Sequence, residues 1–228
     1  MTEPIKSRLQ PLVRKAGRAD VELVAQILGE AFRRDAVMTY LSPNWPEFTT
    51  CLYYSMVRRF FLKHHHVYVT ADGSGAALWL PPGVTFKSYP FWGKLDTLWI
   101  FLSKVGYQGY RRLQALARYS EAYHPAEPHF YLNSIGVRPN KAGRGIGSAL
   151  LQEVLSRCDR EGIPAYLENT NSRNLPLYER FGFQVTTQGR LPHGGPPIWF
   201  MLRPPSTTSD QQFALHGQDL GAAHRASQ

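Results

Sequence analysis

A chain of 228 residues that is 43% hydrophobic and 19% charged can bury the core of one ordinary domain, which excludes a generally disordered protein. No stretch approaches the ~20 uninterrupted apolar residues of a membrane span, and Met1-Thr2-Glu3-Pro4-Ile5-Lys6 has no apolar signal core, so a soluble, cytoplasmic protein without a membrane partner is expected. The net charge of +9 is scattered, with no recognisable nucleic-acid motif, so an anionic small ligand is expected rather than nucleic acid.

In chain order, residues 9–15 read as a strand, preceded by a flexible stretch at 1–8. Asp20 is placed to cap a helix in which Val21, Val24, Ile27, Leu28, Ala31 and Phe32 recur at helical spacing. Residues 35–46 read as a loop or a turn of helix, and 48–63 as an aromatic helix. His64-His65-His66 follows; three successive residues of a strand cannot all face one metal, so a polar helix end is expected and no metal site. Strands at 67–70 and 76–80 flank the hairpin turn Asp72-Gly73-Ser74-Gly75. Two helical segments, 91–105 and 107–123, carry Trp92, Trp99, Phe101, Tyr107, Tyr110 and Tyr119; such aromatics are usually core, and some could line an apolar pocket. Cys51 and Cys158 fall in helix-like segments at no metal or disulfide spacing, which suggests a reducing compartment and buried thiols.

From residue 129 the pattern is regular: strand 129–137, helix 146–161 closed by Gly162, strand 165–168, helix 173–181, then strands 183–188 and 198–202. A tail from 204 to 228 is poor in apolar residues and reads as disordered. The whole is one mixed α/β domain over 9–203, with a central mixed, twisted sheet of six to seven strands flanked by helices.

Between the strand at 129–137 and its following helix lies Val137-Arg138-Pro139-Asn140-Lys141-Ala142-Gly143-Arg144-Gly145-Ile146-Gly147-Ser148. A strand, a glycine-rich loop and a helix start form an anion site, because free N–H groups and the positive end of the helix dipole converge and glycine admits close approach. Arg138, Lys141 and Arg144 add charge, so the loop suits a phosphate-bearing ligand.

Residues 137–151 resemble the acetyl-CoA motif of the GNAT acetyltransferases, Q/R-x-x-G-x-G/A, with Gly145 and Gly147 at glycine positions and Ala142 where that motif has Gln or Arg. Residues 171–183, beginning Asn171-Ser172-Arg173-Asn174 and closing on Gly182-Phe183, resemble the second signature of the same family, and residues 130–202 are similar to its puromycin-acetylating branch. The resemblance implies acetyl-CoA as co-substrate, held by Lys141, Ala142, Gly143, Arg144, Gly145, Ile146, Gly147 and Ser148, with the backbone of the strand at Ile135 and Val137 pairing the pantetheine arm and Asn171 and Asn174 bonding the cofactor or capping the helix.

It also implies the catalytic pair. Tyr178 stands at the position of the acid that protonates the departing thiolate, and a tyrosine with its ordinary pKa near 10 is a reasonable match. Glu168 matches the base, with a structural hydrogen bond as its alternative role. Tyr131, Asn133 and His129 share a strand face where other members place a base; the first two are poor bases and His129 ranks below Glu168. His193, in a Gly/Pro-rich loop, borders the acceptor site or is solvated. The expected reaction is direct acetyl transfer to a primary amine of a small molecule, in a monomer or homodimer. A protein lysine or N-terminus as acceptor, or a non-catalytic CoA-binding module, are the alternatives.

Overall fold

The computed structural model describes residues 11–44 and 46–206. The expected flexible start at 1–8 and most of the expected disordered tail lie outside those residues. One seven-stranded sheet has the order β1-β2-β3-β4-β5-β7-β6, built from β1 Val13–Lys15, β2 Val67–Thr70, β3 Gly75–Leu80, β4 Phe130–Val137, β5 Ala165–Asn169, β6 Gln184–Arg190 and β7 Pro197–Arg203. Every neighbouring pair is antiparallel except β4 with β5.

The helices cover both faces. On one, α1 Val21–Phe32, α2 Ala36–Leu41, α3 Phe48–Arg59, α4 Phe91–Ile100 and α5 Tyr107–Tyr123 pack a core with Ile27, Leu28, Phe48, Phe60 and Tyr166. On the other, α6 Ile146–Glu161 and α7 Leu175–Arg180 bury Leu150, Val154, Leu155 and Tyr178 against Trp79, Leu132 and Leu167. The sheet is apolar on both faces, so β2 and β3 read as continuous hydrophobic runs rather than alternating ones.

Three expectations are corrected. Trp92 and Trp99 are neither core nor pocket: they lie 65% and 73% exposed on α4. Cys51 is exposed, and only Cys158 is the buried thiol expected of both. Asp20 precedes α1 but does not cap it with its side chain; it accepts from Gly17 N–H at 2.8 Å and from both Arg14 Nη atoms. Periodicity marks where a helix starts, whereas the partner of a short carboxylate depends on what folds next to it.

The histidine run ends a helix, as expected. His64 closes a 3-10 turn, Phe61–His64, and His65 adopts a left-handed conformation at φ 59°. His66 is buried beneath Arg157, whose Nη1 lies 3.3 Å from its Nε2, and Tyr68 Oη lies 3.3 Å from its Nδ1. Burial first, and the Arg157 charge second, push its imidazole down to about 4. A histidine depressed this way is neutral in both folded and unfolded chains above about pH 6.5, and below it only the unfolded chain takes up the proton readily. Stability is therefore expected to fall between pH 6.5 and 4, by on the order of 3 kcal/mol from this group. Chemical denaturation across that range should show a slope that His66→Phe flattens; an unchanged slope would remove His66 as its source.

Candidate active site

Strands β4 and β5 pair only at Phe130↔Ala165, Tyr131↔Tyr166 and Leu132↔Leu167. Beyond Leu132 they part, although each continues along its other neighbour, β4 to Val137 and β5 to Asn169. The cause is local. Leu78 pairs with Ser134 and Trp79 with Leu132, which leaves Asn133 as an extra residue of β4. Such a bulge bends its strand and sharpens its twist.

The bulge also resets the strand's alternation. Tyr131 belongs to the core under α1 and α3, and one residue beyond the bulge Ser134 faces the same side, its Oγ 3.1 Å from Tyr53 Oη. Asn133 lies between them, its Nδ2 3.5 Å from Tyr131 Oη and its Oδ1 accepting from Ser134 Oγ at 3.0 Å. Tyr131 and Asn133 thus share a face, as alternation predicts, but the alternation does not carry past residue 133.

The parting strands open a cleft of about 60 Å³ lined by Phe32, Asp35, Leu132, Asn133, Ser134, Ile135, Leu167, Glu168, Asn169, Thr170, Asn171, Asn174 and Tyr178. Glu168, Asn171, Asn174 and Tyr178, all from one short stretch of chain, meet Ile135 of β4 here. A larger space of about 500 Å³ opens beside Arg33, Arg34, Thr39, Ser42, Pro43 and Pro46. Arg33 there is engaged by Glu47 at 2.7 Å, and its lining offers no acid–base pair, so the splayed strands are the candidate centre.

Glu168 is held on several sides. Oε2 accepts from Ser120 Oγ of α5 at 2.7 Å, Oε1 accepts from Tyr166 Oη at 3.2 Å, and His124 Nδ1 stands 4.0 Å from Oε1. The structural hydrogen bonds and the position at the cleft therefore coexist. His129 does not line the cleft; its Nε2 lies 3.1 Å from His124 Nε2. His193 is exposed, at φ 55°, in the turn before β7.

Tyr178 comes from α7, which starts with Pro176 in its first turn. Two asparagines shape the approach. Asn171 Oδ1 accepts from Arg173 N–H at 3.1 Å, capping the 3-10 turn Ser172–Asn174. Buried Asn169 braces the same loop, bonding both the N–H and the carbonyl of Asn171. The Tyr178 ring packs edge-on against Phe183, and burial raises its pKa above the ordinary value, with the nearby Asp35 charge adding to the effect. The hydroxyl is a weaker acid than a solvated tyrosine, a correction to the expected value near 10.

Asp35 is the residue that pattern reading passed over within its loop or helical turn. Its Oδ1 caps α2, accepting from Val37 and Met38 N–H at 2.8 and 3.3 Å. Burial raises its pKa, the three backbone N–H groups of the helix start opposing that. The available signal was an Asp two residues before the apolar Val37, Met38 and Leu41, which is an N-cap pattern; its place in the cleft depends on α1 and α2 packing beside β4.

At the far end of β4 the chain makes a 3-10 turn, Pro139–Lys141, and enters α6. The N–H groups of Lys141 and Ala142 are spent inside that turn, on Arg138 and Pro139 carbonyls. From Gly143 to Ser148 no main-chain N–H finds an acceptor among the described residues. Gly143 and Gly145 reach this arrangement at φ 76° and 79°, a left-handed conformation that side chains resist, while open space surrounds their would-be Cβ positions. Gly145 is the helix cap and has no side chain to satisfy those donors. The run of N–H groups without acceptors accordingly starts at Gly143, later than Lys141. Arg138 does not add free charge: its Nε donates to Gly73 O at 2.8 Å and its Nη1 bonds Glu30. Arg144 and Ala142 are exposed and Lys141 partly so, the Lys141 charge also acting on Asp72. Ile146 instead turns into the core, 4% exposed, and Ile135 and Val137 pack on that same side of the sheet.

Parallel strands parted by a bulge thus stand beside a glycine-capped helix whose first N–H groups lack acceptors among the described residues. Residues 85–183, which include both sequence motifs, match the model of the acetyltransferase (GNAT) family. An uncharacterised N-acetyltransferase of Schizosaccharomyces pombe is 28% identical over 211 residues, 83% of this chain and 82% of that protein. The mycothiol acetyltransferase of Acidimicrobium ferrooxidans is 46% identical over 54 residues, 22% of this chain and 17% of its own. Among solved structures, the histone acetyltransferase HPA2 and related acetyltransferase of Corynebacterium glutamicum superimposes with a TM-score of 0.67 at 26% identity, over 87% of this chain and 98% of its own. The arylalkylamine N-acetyltransferase 2 of Aedes aegypti does so with a TM-score of 0.60 at 11% identity, over 85% and 98% respectively, a likeness of fold. The protein is therefore an acetyl-CoA-dependent acyltransferase.

Proposed function

We propose that this enzyme acetylates a primary amine of a small cationic molecule by direct attack in a ternary complex, with Glu168 as base and Tyr178 as acid. The observation that carries the reading is the charge of the cleft. Its lining contains two carboxylates, Asp35 and Glu168, and no lysine, arginine or histidine, in a chain of net charge +9. Such a site attracts an ammonium and repels a carboxylate, since like charges brought together in a partly desolvated cleft are strongly unfavourable.

The acetyl thioester enters as co-substrate, its phosphates matched by the N–H groups of residues 143–148 and by Lys141 and Arg144. The amide edge of its arm has the unpaired edge of β4 beyond Leu132 beside it. Glu168 takes a proton from the ammonium, and the neutral amine attacks the thioester carbonyl. As the C–S bond breaks, the Tyr178 hydroxyl gives the sulfur its proton and regains one from the nitrogen, which loses its second proton on becoming the amide. Asn171 and Asn174 border the path between cradle and cleft.

An acetyl-CoA consumption screen over amines, polyamines, aminonucleosides, amino acids and peptides tests the acceptor. Amines without a nearby carboxylate should be turned over and free amino acids should not. Turnover of peptides alone would move the acceptor to proteins, and cofactor binding without turnover of any acceptor would make the chain a binding module.

The cradle has its own test. Gly145→Ala forces a side chain into a left-handed conformation at a cost of about 1–2 kcal/mol, or a melting point lower by roughly 2–8 °C at this chain length. Relaxation of that strain would tilt the N–H groups, so the KM for acetyl-CoA is expected to rise by about tenfold while the acceptor KM stays put. An unchanged acetyl-CoA KM would place the phosphates elsewhere.

A further inference from the structure

Acetylation of an ammonium releases a proton. The nitrogen of R–NH₃⁺ loses two protons on becoming an amide R–NH–COCH₃; one ends on the sulfur as CoA–SH, and the other must leave the enzyme before the next turnover. The proposed function brings that second proton to Glu168 and leaves it there. We propose that His124, aimed by His129, takes the proton from Glu168 and passes it to solvent. The inference rests on Glu168 being the base.

The geometry sets the roles of the two imidazoles. His129 Nδ1 lies 2.7 Å from the Glu127 carbonyl oxygen. A carbonyl only accepts, so this nitrogen carries a hydrogen. Burial holds the His129 imidazole below its ordinary range, so its ring is neutral and its Nε2 is a lone pair. That lone pair faces His124 Nε2 at 3.1 Å, and His124 must donate there. In neutral His124 the remaining nitrogen, Nδ1, is then the basic one, and it is the atom 4.0 Å from Glu168 Oε1. This span exceeds a hydrogen bond, and a small rotation of either side chain or one bridging water closes it.

The other groups around Glu168 do not offer this route. Ser120 of α5 and Tyr166 of β5 donate to it, and neither hydroxyl accepts a proton near neutral pH. Tyr131 of β4 lies beside the His124 ring, but burial and the Glu168 charge raise its pKa. An imidazole is the side chain suited to take up and release protons in the physiological range. His124 also reaches the surface, its side chain 17% exposed where that of Glu168 is 12% exposed, and His129 is buried behind it. When Glu168–COOH gives its proton to Nδ1, the carboxylate is restored and the imidazolium donates at both nitrogens, one toward Glu168 and one toward His129. Loss of the proton from His124 to water completes the cycle with charge and atoms balanced.

The test is His124→Gln in the full chain, read by steady-state kinetics with the best amine from the screen. The turnover number is expected to fall on the order of tenfold to hundredfold at pH 7 with both KM values little changed. Added imidazole or concentrated buffer should restore much of it, because a small base then carries the proton. His129→Phe keeps an aromatic ring and removes the lone pair that orients His124, so a smaller loss of kcat that buffer also relieves is expected. A residue that merely fills space would give losses insensitive to buffer. Wild-type kcat for folded His124→Gln from pH 6 to 9, or a loss that imidazole does not touch, overturns the relay. Glu168→Gln, run alongside, tells the failures apart: if it is inactive while His124→Gln is silent, only the relay is wrong, and if it is fully active the base assignment has failed and the relay with it.

Discussion

Glu168→Gln is expected to lower kcat/KM by about 10²–10⁴-fold, the range of a lost general base, with little change in melting temperature. Gln keeps the size and shape of Glu168, and the Ser120 and Tyr166 hydroxyls that now donate to its two oxygens can rotate to accept from the new amide. Folding therefore has little to lose, whereas proton uptake from the ammonium is abolished. Glu168→Asp should fall between the two, because it keeps the carboxylate and withdraws it by about one bond length from the cleft. A melting-temperature comparison together with kcat/KM for all three proteins decides the matter. Loss of activity that tracks loss of stability would mean that Glu168 is only a brace between β5 and α5.

Tyr178→Phe is expected to reduce kcat by roughly 10²-fold or more, while the KM for acetyl-CoA stays within a few-fold. The phenol is buried, and its ring is held by packing against Phe183, which Phe reproduces. Burial and the Asp35 charge raise its pKa, so the hydroxyl remains protonated throughout the physiological range and is always ready to donate. The same shift makes the bare phenolate costly, which confines proton transfer to the moment when a thiolate is present to receive it. Wild-type activity should accordingly show no alkaline loss from this group below the ordinary tyrosine pKa near 10. Full kcat for Tyr178→Phe at every pH would refute the acid assignment.

Much of the fold was legible because its signals are local. The helices at α5 and α6 follow their apolar spacing to the residue, Tyr107–Tyr123 and Ile146–Glu161. The glycine loop was recognisable because Gly143 and Gly145 are demanded by backbone conformation. Other boundaries shifted where local geometry is mixed: α3 ends at Arg59 and gives way to a 3-10 turn, and the segment before Tyr178 splits into a 3-10 turn and a short helix. The exposure of Trp92 and Trp99 was not legible, since side-chain type says what a residue gains from burial and not whether the fold supplies a neighbour.

The sequence by itself pointed to the superfamily and the mixed α/β architecture, and it put forward the loop between β4 and α6 and the pair Glu168 and Tyr178 as the candidate site. Each rests on short-range pattern: periodicity, glycine conformation, or residues within one motif. Only the tertiary structure decided that the run of N–H groups without acceptors starts at Gly143, that Arg138 is engaged by Glu30 and Gly73, and that Asp35 shares the cleft with Glu168. It alone placed His124, with His129 behind it, beside Glu168. These are long-range facts. They follow from a single extra residue, Asn133, that bends β4 away from β5, and from helices packed on both faces of the resulting gap, neither of which is encoded in any one stretch of the chain.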